Sequence, residues 1–177
     1  MKKILFSLIL LFSLTAQAEI MLRTSPILLV AGGTNAEIDF KVSENLSVGV
    51  GGLSWSAEVL DVEFSVTEAH ARFDYWFAGA FKQGWYANAG YSTMSMDLKT
   101  KDIFGTEFEG DVSGSGVILG MGYHWQWESF HMELGYQLAN YSFDSKLELE
   151  ASDGSTEEES IPSGTSGGLE FNLGWVF

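Results

Sequence analysis

Val117-Ile118-Leu119-Gly120-Met121-Gly122-Tyr123-His124-Trp125-Gln126-Trp127 decides the fold. Val117, Leu119, Met121, Tyr123, Trp125 and Trp127 share one parity, and Ile118, Gly120, Gly122, His124 and Gln126 share the other. A period of two is that of a strand, whose successive side chains point to opposite faces of a sheet. The next segment repeats the pattern after the tight turn Glu128-Ser129: Phe130, Met132, Leu134, Tyr136 and Leu138 oppose His131, Glu133, Gly135, Gln137 and Ala139. Further out, Ala69, Ala71, Phe73, Tyr75 and Phe77 oppose Glu68, His70, Arg72, Asp74 and Trp76. Ala36, Ile38, Phe40 and Val42 oppose Glu37, Asp39 and Lys41, and the chain closes with Leu169, Phe171, Leu173, Trp175 and Phe177 opposite Gly168, Glu170, Asn172, Gly174 and Val176.

This patterning predicts an all-β protein with eight strands, near residues 20–31, 34–42, 46–56, 66–78, 84–96, 113–127, 130–143 and 166–177. Connections alternate between tight turns, at Ser43 to Asn45, Gly79 to Gln83 and Glu128-Ser129, and longer polar ones, at Ala57 to Ser65, Asp97 to Val112 and Asp144 to Thr165. Even strand number and alternating connection length are the habit of an antiparallel up-and-down transmembrane β-barrel, with short turns in the periplasm and long loops outside. Pro26 must then sit at a bulge or edge of the first strand, with Gly32 and Gly33 turning the chain.

The N-terminus agrees with export. Lys2 and Lys3 precede an apolar run from Ile4 to Leu14, and Ala16-Gln17-Ala18 has the small-x-small pattern of a cleavage site, so residues 1–18 read as a signal peptide and 19–177 as one barrel domain. The run is too short for a helical anchor, which needs about 20 apolar residues. Cysteine is absent, which removes disulfides, thiolate metal ligands and a cysteine nucleophile. The formal charge of −15, made more negative still by loss of Lys2 and Lys3, opposes a nucleic-acid partner.

Alternation is neutral about which face is inside, since a soluble lipocalin-type barrel reverses the assignment. Three observations favour a polar lumen. Gly49, Gly51, Gly90, Gly120, Gly122, Gly135 and Gly174 keep company with the polar residues, as a crowded interior requires. Aromatic residues gather at strand ends, where Trp76, Phe77, Trp85, Trp125, Trp127 and Phe130 would form an interfacial girdle. The sequence ends on Phe177 at the last alternation step.

Glu170 to Phe177 resembles the C-terminal signal of outer-membrane barrels, with Asn172 where glycine is usual. The resemblance implies that Trp175 and Phe177 are read by the barrel-insertion machinery, after delivery by periplasmic chaperones. In strand number and loop asymmetry the chain resembles the small OmpA-like and OmpX-like barrels, which implies an outer-membrane location, lipid as surroundings and a monomer. The segment Ala78-Gly79-Ala80-Phe81-Lys82-Gln83-Gly84-Trp85-Tyr86 resembles a turn of small uncharacterised barrels of this kind.

Arg23, Glu37, Asp39, Lys41, Glu68, His70, Arg72, Asp74, His124, His131, Glu133 and Glu170 share inward parity. Paired charges filling a narrow lumen are expected, because isolated buried ions are costly and eight-stranded barrels are normally side-chain-filled. A water-filled pore generally takes about 16 strands. Lipid A chemistry is the competing expectation, but no His-x-Ser arrangement of the lipid A deacylase type occurs: His70 precedes Ala-Arg, His124 precedes Trp-Gln and His131 precedes Met-Glu. A non-enzymatic barrel without cofactor, metal centre or catalytic residues is therefore expected, with a structural or adhesive role on the cell surface. The outer loops, carrying Asp97, Asp102, Glu107, Glu109 and Asp111 and then Glu148, Glu150, Asp153, Glu157, Glu158 and Glu159, are candidates for weak divalent-cation or extracellular-ligand binding. Lys146-Leu147-Glu148-Leu149-Glu150 and Val62-Glu63-Phe64-Ser65-Val66 alternate too, so strands can continue upward as a protruding sheet.

Overall fold

A computed structural model describes residues 19–59, 62–101, 107–143, 146–151, 156–160 and 163–177. The expected signal peptide, residues 1–18, lies outside the described residues. So do Asp102 and Asp153, and the side chains of Glu107, Glu109, Glu148, Glu150, Glu157, Glu158 and Glu159.

The elements run β1 (Ile20–Thr24), α1 (Pro26–Val30), β2 (Thr34–Lys41), β3 (Leu46–Val59), β4 (Val62–Trp76), β5 (Gly84–Lys101), β6 (Glu107–Trp127), β7 (Phe130–Phe143), β8 (Lys146–Ala151), β9 (Thr156–Ser160) and β10 (Gly164–Val176). Eight of them, β1 to β7 and β10, pair antiparallel in the order β5-β4-β3-β2-β1-β10-β7-β6, and pairing of β5 with β6 closes the ring. Closure leaves the eight-stranded up-and-down barrel without an open sheet edge over most of its circumference. β1 is the exception. It meets β10 only from Met21 opposite Val176 to Thr24 opposite Leu173.

The first strand is shorter than its sequence pattern implied. Proline at the first turn of a helix costs nothing, because the N–H it lacks has no intrahelical partner there. Pro26 accordingly opens the short helix α1 instead of occupying a bulge. The helix stops at Val30 with Ala31 as its cap, and Gly32 next takes a left-handed conformation at φ 84° that glycine tolerates best. Trp55 Nε1 of β3 donates to Ala31 O at 3.0 Å and fastens the end of the helix to the wall.

Two of the long connections are largely strand. β3 and β4 stay paired up to Val59 opposite Val62, and β5 and β6 up to Lys101 opposite Glu107. Within the third, β8 and β9 form a hairpin, and β8 joins β6 through Phe108 opposite Ala151 and Glu109 opposite Glu150. The wall therefore rises above the barrel on the β5–β6 side, as the alternation at Val62 to Val66 and Lys146 to Glu150 anticipated.

At the opposite end the barrel is plugged. Met21, Trp76, Ala80, Phe81 and Tyr86 form a buried apolar cluster with Val176 against it. The β4–β5 turn folds beneath the barrel to supply Ala80 and Phe81, held by Ala80 N donating to Glu44 O at 2.6 Å and by Asn45 Nδ2 donating to Trp76 O at 2.6 Å. Trp76 was expected on the outer girdle but is fully buried. It shares parity with Arg72 and Asp74, and its indole finds a lumen partner in Ser47 Oγ at 2.9 Å. Its ring lies 5.6 Å from Phe81 and 5.2 Å from Tyr86.

Replacing this plug residue, Trp76→Ala, should lower unfolding free energy by about 3–5 kcal/mol, the usual cost of emptying a packed aromatic site. Urea unfolding followed by circular dichroism measures it; a loss below about 1 kcal/mol would mean that the ring is not packed inside.

Candidate functional site

The lumen gathers the charged side chains into a ladder along the barrel axis. Its hub is Arg23 of β1. Nη2 lies 2.6 Å from Asp39 Oδ1, 3.1 Å from Glu37 Oε1 and 3.4 Å from Asp74 Oδ2, and Nη1 lies 2.8 Å from Glu133 Oε2. One guanidinium thus ties β1 to β2, β4 and β7. Arg72 forms the next rung: Nε lies 2.8 Å from Glu37 Oε1 and 3.3 Å from Asp74 Oδ1, and Nη1 lies 3.0 Å from Glu170 Oε1 of β10. Above it, His70 faces Glu37 Oε2 at 3.4 Å and Glu68 Oε1 at 3.6 Å. Ser92 Oγ donates to Glu68 Oε1 at 2.6 Å, and the Tyr141 hydroxyl lies 3.3 Å from Ser92 Oγ.

Such crowding needs room, and the glycines provide it. Arg72 is paired across the sheet with Gly49 on one side and Gly90 on the other. A Cβ at Gly122 or Gly135 would run into the Tyr86 hydroxyl, and one at Gly174 would strike the Leu22 carbonyl and His131 Nε2. Bulky lumen residues therefore face absent side chains on neighbouring strands.

Of the residues expected in the charge network, Arg23, Glu37, Asp39, Glu68, His70, Arg72, Asp74, Glu133 and Glu170 come together; Lys41 does not. Its parity is inward, but it sits at the last position of β2, where the lumen meets solvent, and its Nζ pairs at 2.8 Å with Glu19 Oε2, half exposed. His124 and His131 stack at 4.9 Å beside Glu133. Asn88, Ser92, Tyr86 and Asn172 were not anticipated as lumen partners. The first three share the parity of Gly90, which was the available signal, and Asn172 Nδ2 donates to Glu170 Oε1 at 2.8 Å.

A roomy part of this interior lies near α1, a cavity of about 340 Å³. Ile27, Leu28 and Leu169 line its apolar side, and Glu68, His70 and Arg72 its polar side. Below that level the charges and the plug fill the barrel.

On the outside, Phe77, Trp85, Trp127 and Trp175 are exposed and Trp125 and Phe130 half-buried, all at the end where the tight turns lie. Ring contacts run along this band: Tyr75 to Phe77 at 5.2 Å, Trp85 to Tyr123 at 5.4 Å, Tyr123 to Trp125 at 4.7 Å, Trp127 to Phe130 at 6.0 Å and Phe130 to Trp175 at 5.5 Å. Phe177 is exposed beyond them, its backbone paired with Ile20.

Arg23→Met should cost about 3–5 kcal/mol in urea unfolding, because it strands buried carboxylates without their partner. Lys41→Met, at an exposed pair, should cost no more than about 1 kcal/mol. Equal losses for the two would deny Arg23 its place as the hub.

No curated protein and no solved structure matches the chain. Residues 3–161 match a family model described as "Protein of unknown function (DUF3575)". That match covers most of the sequence, and the chain belongs to the DUF3575 family.

Proposed function

We propose that this barrel is an integral outer-membrane protein with a side-chain-filled lumen, serving a structural or surface-interaction role rather than conduction or catalysis. The observation that carries the reading is its inverted polarity. Arg23, Glu37, Asp39, Arg72, Asp74 and Glu133 are buried, while Phe73, Tyr91, Val117, Leu119, Met121, Tyr136 and Leu138 are exposed on the outer wall. Burying charge while leaving a continuous apolar belt in water is costly on both counts; hydrocarbon around the belt removes one of them. The aromatic band from Phe77 to Trp175 then lies at the periplasmic interface, where amphipathic rings prefer to sit. Trp175 and Phe177 stand where the insertion machinery would read them, as the likeness to small OmpA-like and OmpX-like barrels implies.

Strand length supports a projecting surface. A tilted strand crosses a bilayer in about 9–11 residues. β5 has 18 and β6 has 21, so both extend well past the membrane on the side of the long connections. The β8–β9 hairpin widens that extension, and among the described residues β9 pairs only with β8. A free strand edge held above the surface suits pairing with an extended segment of a partner. Lipid chemistry has less support. The His70 ring nitrogens face Glu37 and Glu68, not a serine hydroxyl, and His124 and His131 lie at the end assigned to the periplasm.

In cells, the protein should fractionate with outer membranes and migrate differently in gel electrophoresis before and after boiling; recovery as a soluble periplasmic protein would overturn the membrane reading. Deleting Phe177 should reduce the assembled, heat-modifiable form several-fold without reducing synthesis, and undiminished assembly would remove the terminal signal.

A further inference from the structure

His124, His131 and Glu133 lie between the plug and the Arg23 hub, all fully buried. Hydrogen bonds around them decide which atoms carry protons. The Gln126 amide Nε2 donates to Glu128 O at 2.7 Å, which turns Gln126 Oε1 toward His124 Nε2 at 3.0 Å. A carbonyl oxygen only accepts, so His124 Nε2 holds the proton and Nδ1 presents a lone pair. His131 Nε2 faces Leu22 O at 3.2 Å and donates for the same reason, which leaves His131 Nδ1 with a lone pair as well.

Both lone pairs belong to atoms near the same carboxylate oxygen. Glu133 Oε1 is 3.1 Å from His124 Nδ1 and 3.8 Å from His131 Nδ1, while Oε2 is occupied by Arg23 at 2.8 Å. Three acceptors with no donor among them repel one another unless something positive lies between. A proton shared by His124 and Glu133 would relieve that pair alone, leaving His131 Nδ1 buried without a hydrogen-bond partner. A cation relieves all three. The surrounding charge runs the same way: among the described residues Glu37, Asp39, Glu68, Asp74, Glu133 and Glu170 share the network with two guanidiniums, Arg23 and Arg72, and the imidazole of His70, so carboxylates outnumber the basic groups.

We propose that His124, His131 and Glu133 bind a divalent transition-metal ion of the zinc type. Two imidazole nitrogens and a carboxylate oxygen are a donor set that such an ion favours, and one ligand atom from each residue lies within 4.8 Å of the others. Bonds of about 2.0–2.2 Å in a tetrahedron place ligand atoms roughly 3.3–3.6 Å apart, between the two separations from Glu133 Oε1, 3.1 and 3.8 Å. Each imidazole has its distal N–H anchored on a carbonyl oxygen, Gln126 Oε1 or Leu22 O, the outer support typical of metal-bound histidine. The rings now stack at an interplanar angle of 21°, so closing on the ion tips them toward each other. Absence of a side chain at Gly174 leaves His131 its seat. The site depends on the lumen packing alone, whatever surrounds the barrel.

Purified full-length barrel, stripped with chelator and dialysed against Zn²⁺, should retain one ion per chain. Co²⁺ in its place should give the intense visible absorption of a four-coordinate, nitrogen-ligated ion. His131→Gln and His124→Gln should weaken retention at least about 100-fold, and Gln126→Leu, at a half-exposed position that spares the fold, about 10–100-fold. The paired variant Glu157→Gln/Glu158→Gln, in the β8–β9 hairpin, should change nothing. No stoichiometric retention, retention that survives both histidine substitutions, or the weak spectrum of an octahedral oxygen-ligated Co²⁺ would each overturn the site.

Discussion

Arg23 is the interaction on which the remainder of the interior depends. It extends from the shortest wall strand and meets carboxylates on β2, β4 and β7, so that charges from separate parts of the chain become one network. Guanidinium suits this position because its planar fork offers several donors and never gives up its charge. Glu37 is shared with Arg72, and Arg72 carries the connection on to Glu170 of β10. The glycine spacing follows as a geometric requirement. A side chain as large as Arg72 fits inside eight strands only where both of its cross-strand neighbours, Gly49 and Gly90, contribute none.

Packing this dense assigns different work to different levels of the barrel. At the turn end the plug of Trp76, Phe81 and Tyr86 shuts the bore. The arginine rungs occupy the middle, and a space beside α1 remains open. A continuous passage from end to end is incompatible with that arrangement. Packed lower levels also explain how such long strands stay in register above: the ladder of β5 and β6 begins at a base that cannot slip by one residue without turning Tyr86, Asn88 and His124 outward.

Strand alternation makes most of the barrel legible in the sequence. Parity alone placed Arg23, Asp74, Glu133 and the other lumen charges on one side of the wall, and they are found there. Parity also assigned Trp76 inward beside Asp74, but its aromatic character drew it to the girdle; position in the alternation outweighed residue type, because a buried indole needs only a hydroxyl such as Ser47. Lys41 shows the converse limit, since parity says nothing about height and the last residue of a strand reaches solvent. The helix at Pro26 was hidden by its apolar residues, which read equally well as strand over so short a run. Convergence of His124, His131 and Glu133 could not be seen in the sequence either, for it depends on amide orientation at Gln126 and on the carbonyl of Leu22, far away in the chain.

The brief seam between β1 and β10 bears on the order in which the barrel can form. Every other wall pairing grows outward from a nearby turn or, for β7 with β10, across an intervening hairpin. The seam instead joins Met21 to Val176 across nearly the whole chain. Such a contact carries the largest loop-closure cost unless the intervening strands have already assembled. Zipping around from the hairpins brings the two end strands together last, with few ladder bonds to drive the final step. Arg23, reaching from β1 to partners already in place on β2, β4 and β7, supplies the attraction that those few bonds lack.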